Sequence, residues 1–582
     1  MDRGKGCGDN RRMRRPSSAA ANYLSRSETR SHDRAVLAVA AGVVLAFCAA
    51  VAGQSAFPHG VASGDVSDGA AVCWTRAAMV GPIRFELASE SSFARPLRGE
   101  MVEPSDERDR TIRVDLGGLE PATRYFYRFV RPESNEASVV GTFVSAPAAD
   151  DARPFRFVHS GDSNAAARPF RLLGFASDER PEFWFWAGDT AYADASSGGL
   201  GVATDRAGYH AKHRQNREDP HLQRLLASAP VWAQWDDHEV GNDYDGGDPE
   251  PHLTPQRVAA GQQAFIDYMP LRPAGVAADP RRTYRSFRYG ALAEFFILDC
   301  RQYRSADAGR AGGGLDPYGF FLPTFDLAAV LRMRDPSRTM LGPEQLAWLT
   351  RGLRASTATW KFVVSSVPFT SLLAFPYDRW DGFDAERYDL LRFVDRERIG
   401  GLVLLSADIH ANVFNPDVTH YLRTTLGQPF SPGFAVPEFI SGPIATATLR
   451  QEVAGVAAAV LNVPRAEAER SPLVGGGFGV LAGRVALQNG LRFVGADRYA
   501  YLVADVAADG VTFTHRGITP DPALESPVLE TLHRGRLRPP GCAPGLPVLL
   551  LPMALTLSWS SRGARPGCAS RMRRGSHPAA GR

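Results

Sequence analysis

Six short apolar segments, each followed at once by polar residues, constrain the fold of this chain more than any other feature of its sequence. They are FRFV before HSGDSN, FWFWA before GDTAYAD, VWAQW before DDHEVGND, FFIL before DCRQYR, KFVVS before SVPF, and GLVLLS before ADIHANVF. Uninterrupted apolar runs of this length are typical of strands buried on both faces of an α/β sheet, with helices such as GPEQLAWLTRGLRAS between them. Because sites in layered α/β folds form where strand ends and loops converge, we expect the polar clusters to meet in space.

A small all-β domain is predicted over residues 57–147, ahead of the α/β region expected over residues 153–520. The stretch TIRVDLGGLEPATRYFYRFV alternates apolar and polar residues around a Gly-Gly turn, and GAAVCWTRA and IRFELAS are strand-like runs. Tyr125 and Tyr127 fit the late hairpin of a fibronectin-type or immunoglobulin-like sandwich, in which a tyrosine folds back over the strand connection. The stretch SAPAADDARP then predicts a linker between the two domains.

The two ends of the chain predict targeting or anchoring. Residues 1–56 contain a long arginine-rich leader and then the uncharged run AVLAVAAGVVLAFCAAVA, which ends in small residues. This order is typical of a secretory signal, and the run is nearly long enough for an uncleaved membrane anchor, so we expect export to the periplasm, surface or exterior of a bacterium. In the expected tail, residues 521–582, a cysteine, a short apolar stretch and arginines resemble C-terminal surface-sorting tags; a tail without folded structure is the alternative.

Charge and cysteine content argue against two classes of protein. The net charge is +3 over 582 residues, lysine occurs only at Lys5, Lys212 and Lys361, and much of the arginine lies in the terminal segments, so no nucleic-acid groove is evident. Between those terminal segments the cysteines are Cys73 and Cys300. One disulfide is possible, and a disulfide-rich framework is excluded.

The polar clusters contain side chains that hard and borderline metal ions prefer. Carboxylate and amide oxygens, a phenol and imidazoles suit iron, manganese, calcium or zinc. An aspartate that bridges two cations would let the other ligands divide between them, as in a two-metal hydrolase. For any one cluster alone, a turn or a helix cap is the alternative explanation. The candidates are Asp162, Asn164, Asp189, Tyr192, Asp194, Asp236, Asp237, His238, Glu239, Asn242, Asp408, His410 and Asn412.

The order of these clusters resembles the calcineurin-like metallophosphoesterases, and specifically the PhoD-like alkaline phosphatases. The stretches FPHGVASGDVSDGAAVCWTR, WDDHEVGNDY, LDCRQYR, TMLGPEQLAWL, DRWDGFDAERYDLL and PEFISGP are similar to that subgroup too, from about Phe57 to about Tyr501. The resemblance implies a layered β-sandwich metallophosphoesterase domain flanked by helices, which hydrolyses phosphate monoesters or diesters with a hydroxide activated by two metals. Two alternatives stay open: a phospholipase-type phosphodiesterase on the same fold, and a surface-anchored binding protein with a degenerate site.

The resemblance also implies ligands for a first metal, which is ferric iron in PhoD-like enzymes. Asp189 would bridge the two metals, while Tyr192 and His410 would bind the first one. PhoD-like enzymes commonly place a cysteine ligand after the first strand, where this chain has Asp162. A carboxylate makes the first site harder than a thiolate does, and this departure from the family pattern leaves Mn²⁺, Zn²⁺ or Ca²⁺ open there as alternatives to Fe³⁺.

The second metal, commonly Ca²⁺ in this subgroup, would be bound by Asp408. Either Asp237 or Asn242 would supply another of its ligands, since the superfamily pattern favours the residue before the histidine and the PhoD-like pattern also makes the asparagine a candidate. His238 would lie beside the substrate phosphate, where it would stabilise the transferring group or protonate the leaving alkoxide.

Substrate contacts are expected from Asn164 and from an arginine that clamps phosphate oxygens. Arg301 is the predicted clamp, and Arg304 and Arg379 are its alternatives. The substrate would be a small organic phosphate ester or a phospholipid.

Overall fold

The computed structural model describes most of the chain between the two terminal segments. The described residues are 55–246, 253–272, 281–308, 331–372, 378–521 and 523–540. Residues 1–54 of the predicted leader and 541–582 of the predicted tail lie outside the described residues. Among the helices that the structure describes, none is long and apolar enough to cross a membrane.

Twenty-one strands form three sheets within the described residues. In chain order they are β1 Val61–Gly64, β2 Ala70–Arg76, β3 Ile83–Ala88, β4 Arg98–Val102, β5 Thr111–Gly117, β6 Arg124–Arg131, β7 Glu136–Ala137, β8 Gly141–Val144, β9 Phe155–Ser160, β10 Phe183–Ala187, β11 Val231–Gln234, β12 Arg285–Tyr289, β13 Ala293–Ile297, β14 Trp360–Val364, β15 Leu402–Ser406, β16 Asn412–Asn415, β17 Glu438–Ile440, β18 Phe493–Gly495, β19 Tyr499–Ala507, β20 Gly510–Ile518 and β21 Glu530–Leu537. The first sheet has the order β21-β20-β19-β9-β10-β11-β1-β2-β5, the second β12-β13-β14-β15-β17-β16-β18, and the third β4-β3-β6-β7 with β8 beside β6.

Helices cover the outer faces of the two large sheets and connect their strands. In the described residues they are α1 Arg171–Asp178, α2 Arg206–Arg217, α3 Pro220–Ser228, α4 Pro255–Tyr268, α5 Gly342–Ala355, α6 Asp384–Arg396, α7 Thr419–Thr424, α8 Leu449–Leu461, α9 Arg465–Arg470 and α10 Phe478–Asn489. Several begin at a capping side chain: Asp219 accepts hydrogen bonds from backbone N–H groups of α3, and Thr448 forms a capping box with Gln451 at the start of α8.

The main core lies between the first and second sheets. Along β10, Phe183 and Phe185 point into this core, while Trp184 and Trp186 point to the other face, where α1 and α3 pack. All five residues of β10 are buried, because the strand is covered on both faces. The layered α/β fold predicted from the uninterrupted apolar runs is therefore confirmed.

The N-terminal region is all-β, but it is joined to the α/β region more closely than the sequence predicted. Strand β1 pairs in parallel with β11, with Gly64 opposite Val231, and thereby adds β1, β2 and β5 to the first sheet. Tyr125 folds back as expected, and its Oη accepts a hydrogen bond from the N–H of Glu120 at 2.9 Å. The segment after residue 147, where the sequence predicted a linker, therefore connects two regions that share one sheet.

Two further expectations differ from the structure. The α/β region extends beyond residue 520, because β21 pairs along β20 with Leu537 opposite Val511. This strand is an edge strand whose residues are exposed or half-buried, so it has no apolar pattern that would have revealed it. The possible disulfide is absent, since Cys73 and Cys300 are both free and buried.

Candidate metal centre

The predicted polar clusters meet at one end of the two large sheets. Strands β9, β10 and β11 are parallel neighbours, so the residues that follow them lie side by side: Asp162 after β9, Asp189 after β10 and Asp237 after β11. Asp408 and His410 follow β15 in the facing sheet. The carboxyl ends of strands from both sheets therefore supply one site, as the sequence led us to expect.

Several of these residues have a left-handed backbone conformation. The φ angles are 65° at Asp162, 52° at Asp189, 71° at Asp408 and 51° at His410. Residues other than glycine rarely adopt such angles, which cost roughly 1–3 kcal/mol each and occur mainly where the surroundings hold a functional side chain in place. The sharp turns after the strands thus aim these side chains at a common point.

Three overlapping groups of side chains place their ligand atoms within 4.8 Å of one another. The groups are Asp162, Asp189 and His410; Asp189, Asp237 and His238; and Asp237, Asp243 and Asp378. Asp189 belongs to the first two groups and Asp237 to the last two, so the three groups form one continuous line of acidic ligands. A shared carboxylate between adjacent groups is the geometry that a bridging ligand requires.

The electrostatics of these carboxylates fit bound cations. Oδ2 of Asp162 and Oδ1 of Asp189 are buried and accept no hydrogen bond from any described residue. Burial raises the pKa of Asp162 to about 7, and it raises the pKa values of Asp189 and Asp408 well above their usual range. Charged oxygens in such surroundings are costly unless a cation neutralises them, so the donor set fits metal ions with a preference for oxygen.

Glu452 orients His410, and this contact could not be predicted from the sequence. Nδ1 of His410 lies 2.7 Å from Oε1 of Glu452, and Nε2 lies 3.0 Å from Oη of Tyr192. Burial alone would lower the pKa of His410, but the charge and hydrogen bond of Glu452 act together with the charges of Asp162 and Asp408 and raise the pKa to about 9. Glu452 lies in the first turn of α8, far along the chain from the other clusters. The sequence around it is therefore like that of any exposed helix surface.

Asp194 orients His238 in a similar way. Nδ1 of His238 lies 2.8 Å from both carboxylate oxygens of Asp194, and Oδ2 of Asp194 also accepts a hydrogen bond from the N–H of Asn242 at 2.8 Å. Nε2 of His238 is 4.0 Å from Oδ2 of Asp189, and its ring stacks on Tyr192 with centroids 4.1 Å apart. The residue predicted to act on the substrate is thus held with Nε2 facing the line of ligands.

Asp237 and Asn242, the two candidates for the second metal, both line the cleft in front of these groups. Asp237 is buried and accepts hydrogen bonds from the N–H groups of His238 at 2.8 Å and Asp243 at 2.6 Å. Asn242 is exposed, and its amide donates to Asp243 at 2.8 Å. Asp237 is a member of two ligand groups, so its position is the more central of the two.

Glu239 connects the loops that follow β10 and β11 through hydrogen bonds. Its Oε1 accepts hydrogen bonds from the N–H of Thr190 at 2.5 Å and from Oγ1 of Thr190 at 2.7 Å, and its Oε2 accepts one from the N–H of Asp236 at 3.0 Å. The side chain is fully buried. It supports the ligands next to it and does not face the cleft.

Arg301, the predicted phosphate clamp, is buried between carboxylates. Its Nε and Nη2 each lie 2.7 Å from an oxygen of Asp236, and Nη2 lies 2.9 Å from Oδ2 of Asp378. The side chain has no exposed surface. A phosphate contact would require one of these ion pairs to open, so the geometry instead gives Arg301 the task of neutralising and fixing the acidic loops.

The sequence could not show which of the predicted substrate contacts line the cleft, and Asn164 and Arg379 differ in this respect. Oδ1 of Asn164 accepts a hydrogen bond from the N–H of Ala166 at 2.9 Å and caps a short turn away from the cleft lining. Arg379, named as an alternative clamp, does line the cleft, and its Nη1 lies 3.9 Å from Oδ2 of Asp408. Of the three candidate arginines, Arg379 is the one beside the open space.

The cleft itself encloses about 1190 Å³, part of it open to solvent. One wall is formed by acidic and imidazole side chains, among them Asp189, Asp237, His238, Asp408 and His410. A second wall is largely aliphatic. A ligand in this cleft would therefore contact charged groups on one side and apolar groups on the other.

Comparison with known proteins identifies relatives for both regions. The family model described as PhoD-like phosphatase matches residues 157–475, and the model of the PhoD-like phosphatase N-terminal domain matches residues 42–147. Alkaline phosphatase D of Bacillus subtilis (strain 168) is 30% identical over 393 residues, which cover 61% of this chain and 64% of that protein, a little under two thirds of its length. A solved structure of PhoD, 23% identical, covers 84% of this chain and 91% of that chain with a TM-score of 0.68, so the two share a fold.

Proposed function

The chain belongs to the PhoD-like phosphatase family, whose model matches more than half of it, and from this premise we propose that it is a metal-dependent hydrolase of phosphate esters. The observation that carries the proposal is the line of three ligand groups joined through Asp189 and Asp237. Both monoesters and diesters are proposed substrates, because the ligand groups recognise the phosphate and leave the choice of leaving group to the surrounding walls.

The proposed first metal is held by Asp162, Asp189 and His410, with Tyr192 close enough to add its phenol oxygen. The proposed second metal is held by Asp189, Asp237, Asp408 and Asn242. Two such cations, when bound, would orient the phosphate, neutralise its charge and lower the pKa of a water molecule, so that it loses a proton to solvent and hydroxide is available to attack phosphorus.

The proposed metals are those that accept oxygen and nitrogen ligands. The first ligand group, Asp162 with Asp189 and His410, contains no thiolate, since the chain has a carboxylate where the family resemblance implies cysteine. We propose Mn²⁺, Zn²⁺ or Ca²⁺ as alternatives to Fe³⁺ there, and Ca²⁺ at the second position.

His238 is the proposed catalytic residue. Asp194 holds Nδ1, so the proton available to a substrate is carried on Nε2, which faces the cleft. From there it would donate a hydrogen bond to the transferring phosphoryl group and then pass the proton to the oxygen of the leaving group. Asp194 acts through His238 by fixing its orientation.

Arg379 is the proposed phosphate clamp, and Arg301 the positioning residue behind it. The support for this exchange of roles is that Arg379 lines the cleft, whereas the guanidinium of Arg301 is shared between Asp236 and Asp378. A guanidinium that faces the cleft can bind two phosphate oxygens at once.

Export remains part of the proposal. Its support is the basic, apolar and small order of residues 1–56, most of which lie outside the described residues. Attachment to a membrane or cell surface through either terminal segment is proposed on the same sequence pattern.

The test uses the purified chain, stripped of metal and then reconstituted with Ca²⁺, Mn²⁺, Zn²⁺ or Fe³⁺, and assayed with 4-nitrophenyl phosphate and bis(4-nitrophenyl) phosphate. We expect hydrolysis of at least one ester by a reconstituted form, and a fall of about 10²- to 10⁴-fold in kcat for His238→Asn. Loss of activity on stripping, with recovery on reconstitution, supports the proposal. Failure of every reconstituted form to hydrolyse either ester would refute it in favour of a binding protein.

A further inference from the structure

The aliphatic wall of the cleft is a built part of the molecule. Its members come from the loop after β14 and from β16, α8, α10 and β18, and the segment between α10 and β18. They are Leu372, Val413, Leu449, Val453, Val485, Leu491 and Val494. Six separate parts of the fold therefore contribute side chains to this wall.

This wall rests on a small apolar core of its own. Val413, Val485 and Leu491 belong to a buried cluster, against which Leu449 and Val494 pack. Because these side chains have partners behind them, the surface that they present to the cleft is held in place. It is not a chance exposure of isolated residues.

The apolar wall begins directly beside the metal ligands. In the segment after β15, Asp408 and His410 belong to the charged side, while the residues that alternate with them, Ile409 and Ala411, join the small apolar core. A ligand whose phosphate lies against Asp408 and His410 therefore meets aliphatic side chains with the next atoms of its leaving group.

We propose that this wall is a leaving-group subsite that selects phosphate esters of apolar alcohols, whether the apolar group is an alkyl chain or an aromatic ring. The inference rests on the proposed function and adds the substrate class to it. A sugar or other polyol would leave the aliphatic wall wet, whereas an apolar group removes it from water and gains up to about fourfold in affinity for each methylene group covered.

The outer face of α10 offers a matched control. Val480 and Leu487 lie on the same helix as Val485, but they are 74% and 82% exposed and are not part of the cleft lining. Replacing them removes a similar amount of apolar surface from the same helix without touching the proposed subsite.

The experiment measures affinity for n-alkylphosphonates from methyl to octyl by calorimetry on the metal-loaded protein, together with kcat/KM for the matching alkyl phosphates. We expect affinity to rise by about two- to fourfold per methylene group until the wall is covered. In Val453→Ser and Val494→Ser, both at half-buried positions, the ratio of octyl to methyl affinity falls by about tenfold. In Val480→Ser and Leu487→Ser the ratio stays at the wild-type value.

A second series, from phenyl phosphonate to its 4-alkyl derivatives, distinguishes an aromatic leaving group from an extended chain. A flat response of the wild-type protein in both series overturns the inference, even if the esters are hydrolysed. Affinities that rise with chain length while no ester is hydrolysed keep the subsite and refute the proposed function instead. The inference is also overturned if Val480→Ser and Leu487→Ser abolish the rise of affinity with chain length as strongly as Val453→Ser and Val494→Ser do.

Discussion

Gly442 provides a geometric test of the first metal position. The residue lies between β17 and α8, and a Cβ atom placed on it would be 2.2 Å from Oδ2 of Asp162. Real Cβ contacts essentially never fall below 3.0 Å, so in Gly442→Ala one of the two groups must move by about 0.8 Å. Ligands of a metal must be held within about 0.5 Å of their working geometry, and this displacement exceeds that tolerance.

The expected consequence is a loss of affinity for the first metal of about 10- to 100-fold, comparable to the loss of a supporting contact at a metal site. Calorimetric titration of the metal-free protein measures it. Gly455→Ala is the control, because this glycine lies within α8 and a Cβ there would meet nothing within 4 Å. Wild-type metal affinity in Gly442→Ala, with the fold intact by circular dichroism, would contradict the assignment of Asp162 as a ligand.

Three other predictions address the residues around the site and the core beneath it. Glu452→Gln weakens the hold on His410 and lowers metal affinity by about 10- to 100-fold in the same titration; an unchanged affinity would argue against its positioning role. Asp194→Asn lowers kcat by about 10²- to 10⁴-fold through His238 while metal content stays constant, and a fall of less than tenfold in a steady-state assay would refute it. His159 is fully buried, and burial lowers its pKa to about 3. The folded chain therefore binds a proton on His159 less readily than the unfolded chain does. As a result, the free energy of unfolding falls as the pH drops from about 6.5 towards 3, by up to ~1.4 kcal/mol per pH unit. His159→Leu should lower the midpoint pH of acid unfolding, followed by tryptophan fluorescence; a midpoint that stays or rises would contradict this.

The sequence predicted that the candidate ligands after the buried strands lie close together, because two physical constraints coincide there. A run such as FWFWA must be a strand covered on both faces, and parallel strands end at the same edge of a sheet. Asp189 and Asp408 could therefore be placed together although 219 positions separate them in the chain. The apolar pattern of the strands was therefore sufficient to predict that these two side chains lie close together.

The sequence could not predict side-chain contacts that arise only from tertiary packing. The role of Arg301 depends on Asp378, which completes its ion pairs from a different loop, and no local pattern shows that the guanidinium is buried. Glu452 is a similar case, since only the docking of α8 brings it to His410. Strand β21 escaped prediction because an exposed edge strand needs no apolar residues.

The central claim is that Asp189 is shared between two bound cations. Elemental analysis of the protein recovered from its native compartment, beside its Asp189→Asn variant, tests it most directly. We expect at least two metal ions per chain in the wild type and the loss of both in the variant. The metal content of Asp150→Asn, which changes an exposed carboxylate outside the three ligand groups, should stay at the wild-type value. A wild type without stoichiometric metal, or a variant that keeps its full metal content, would contradict the account.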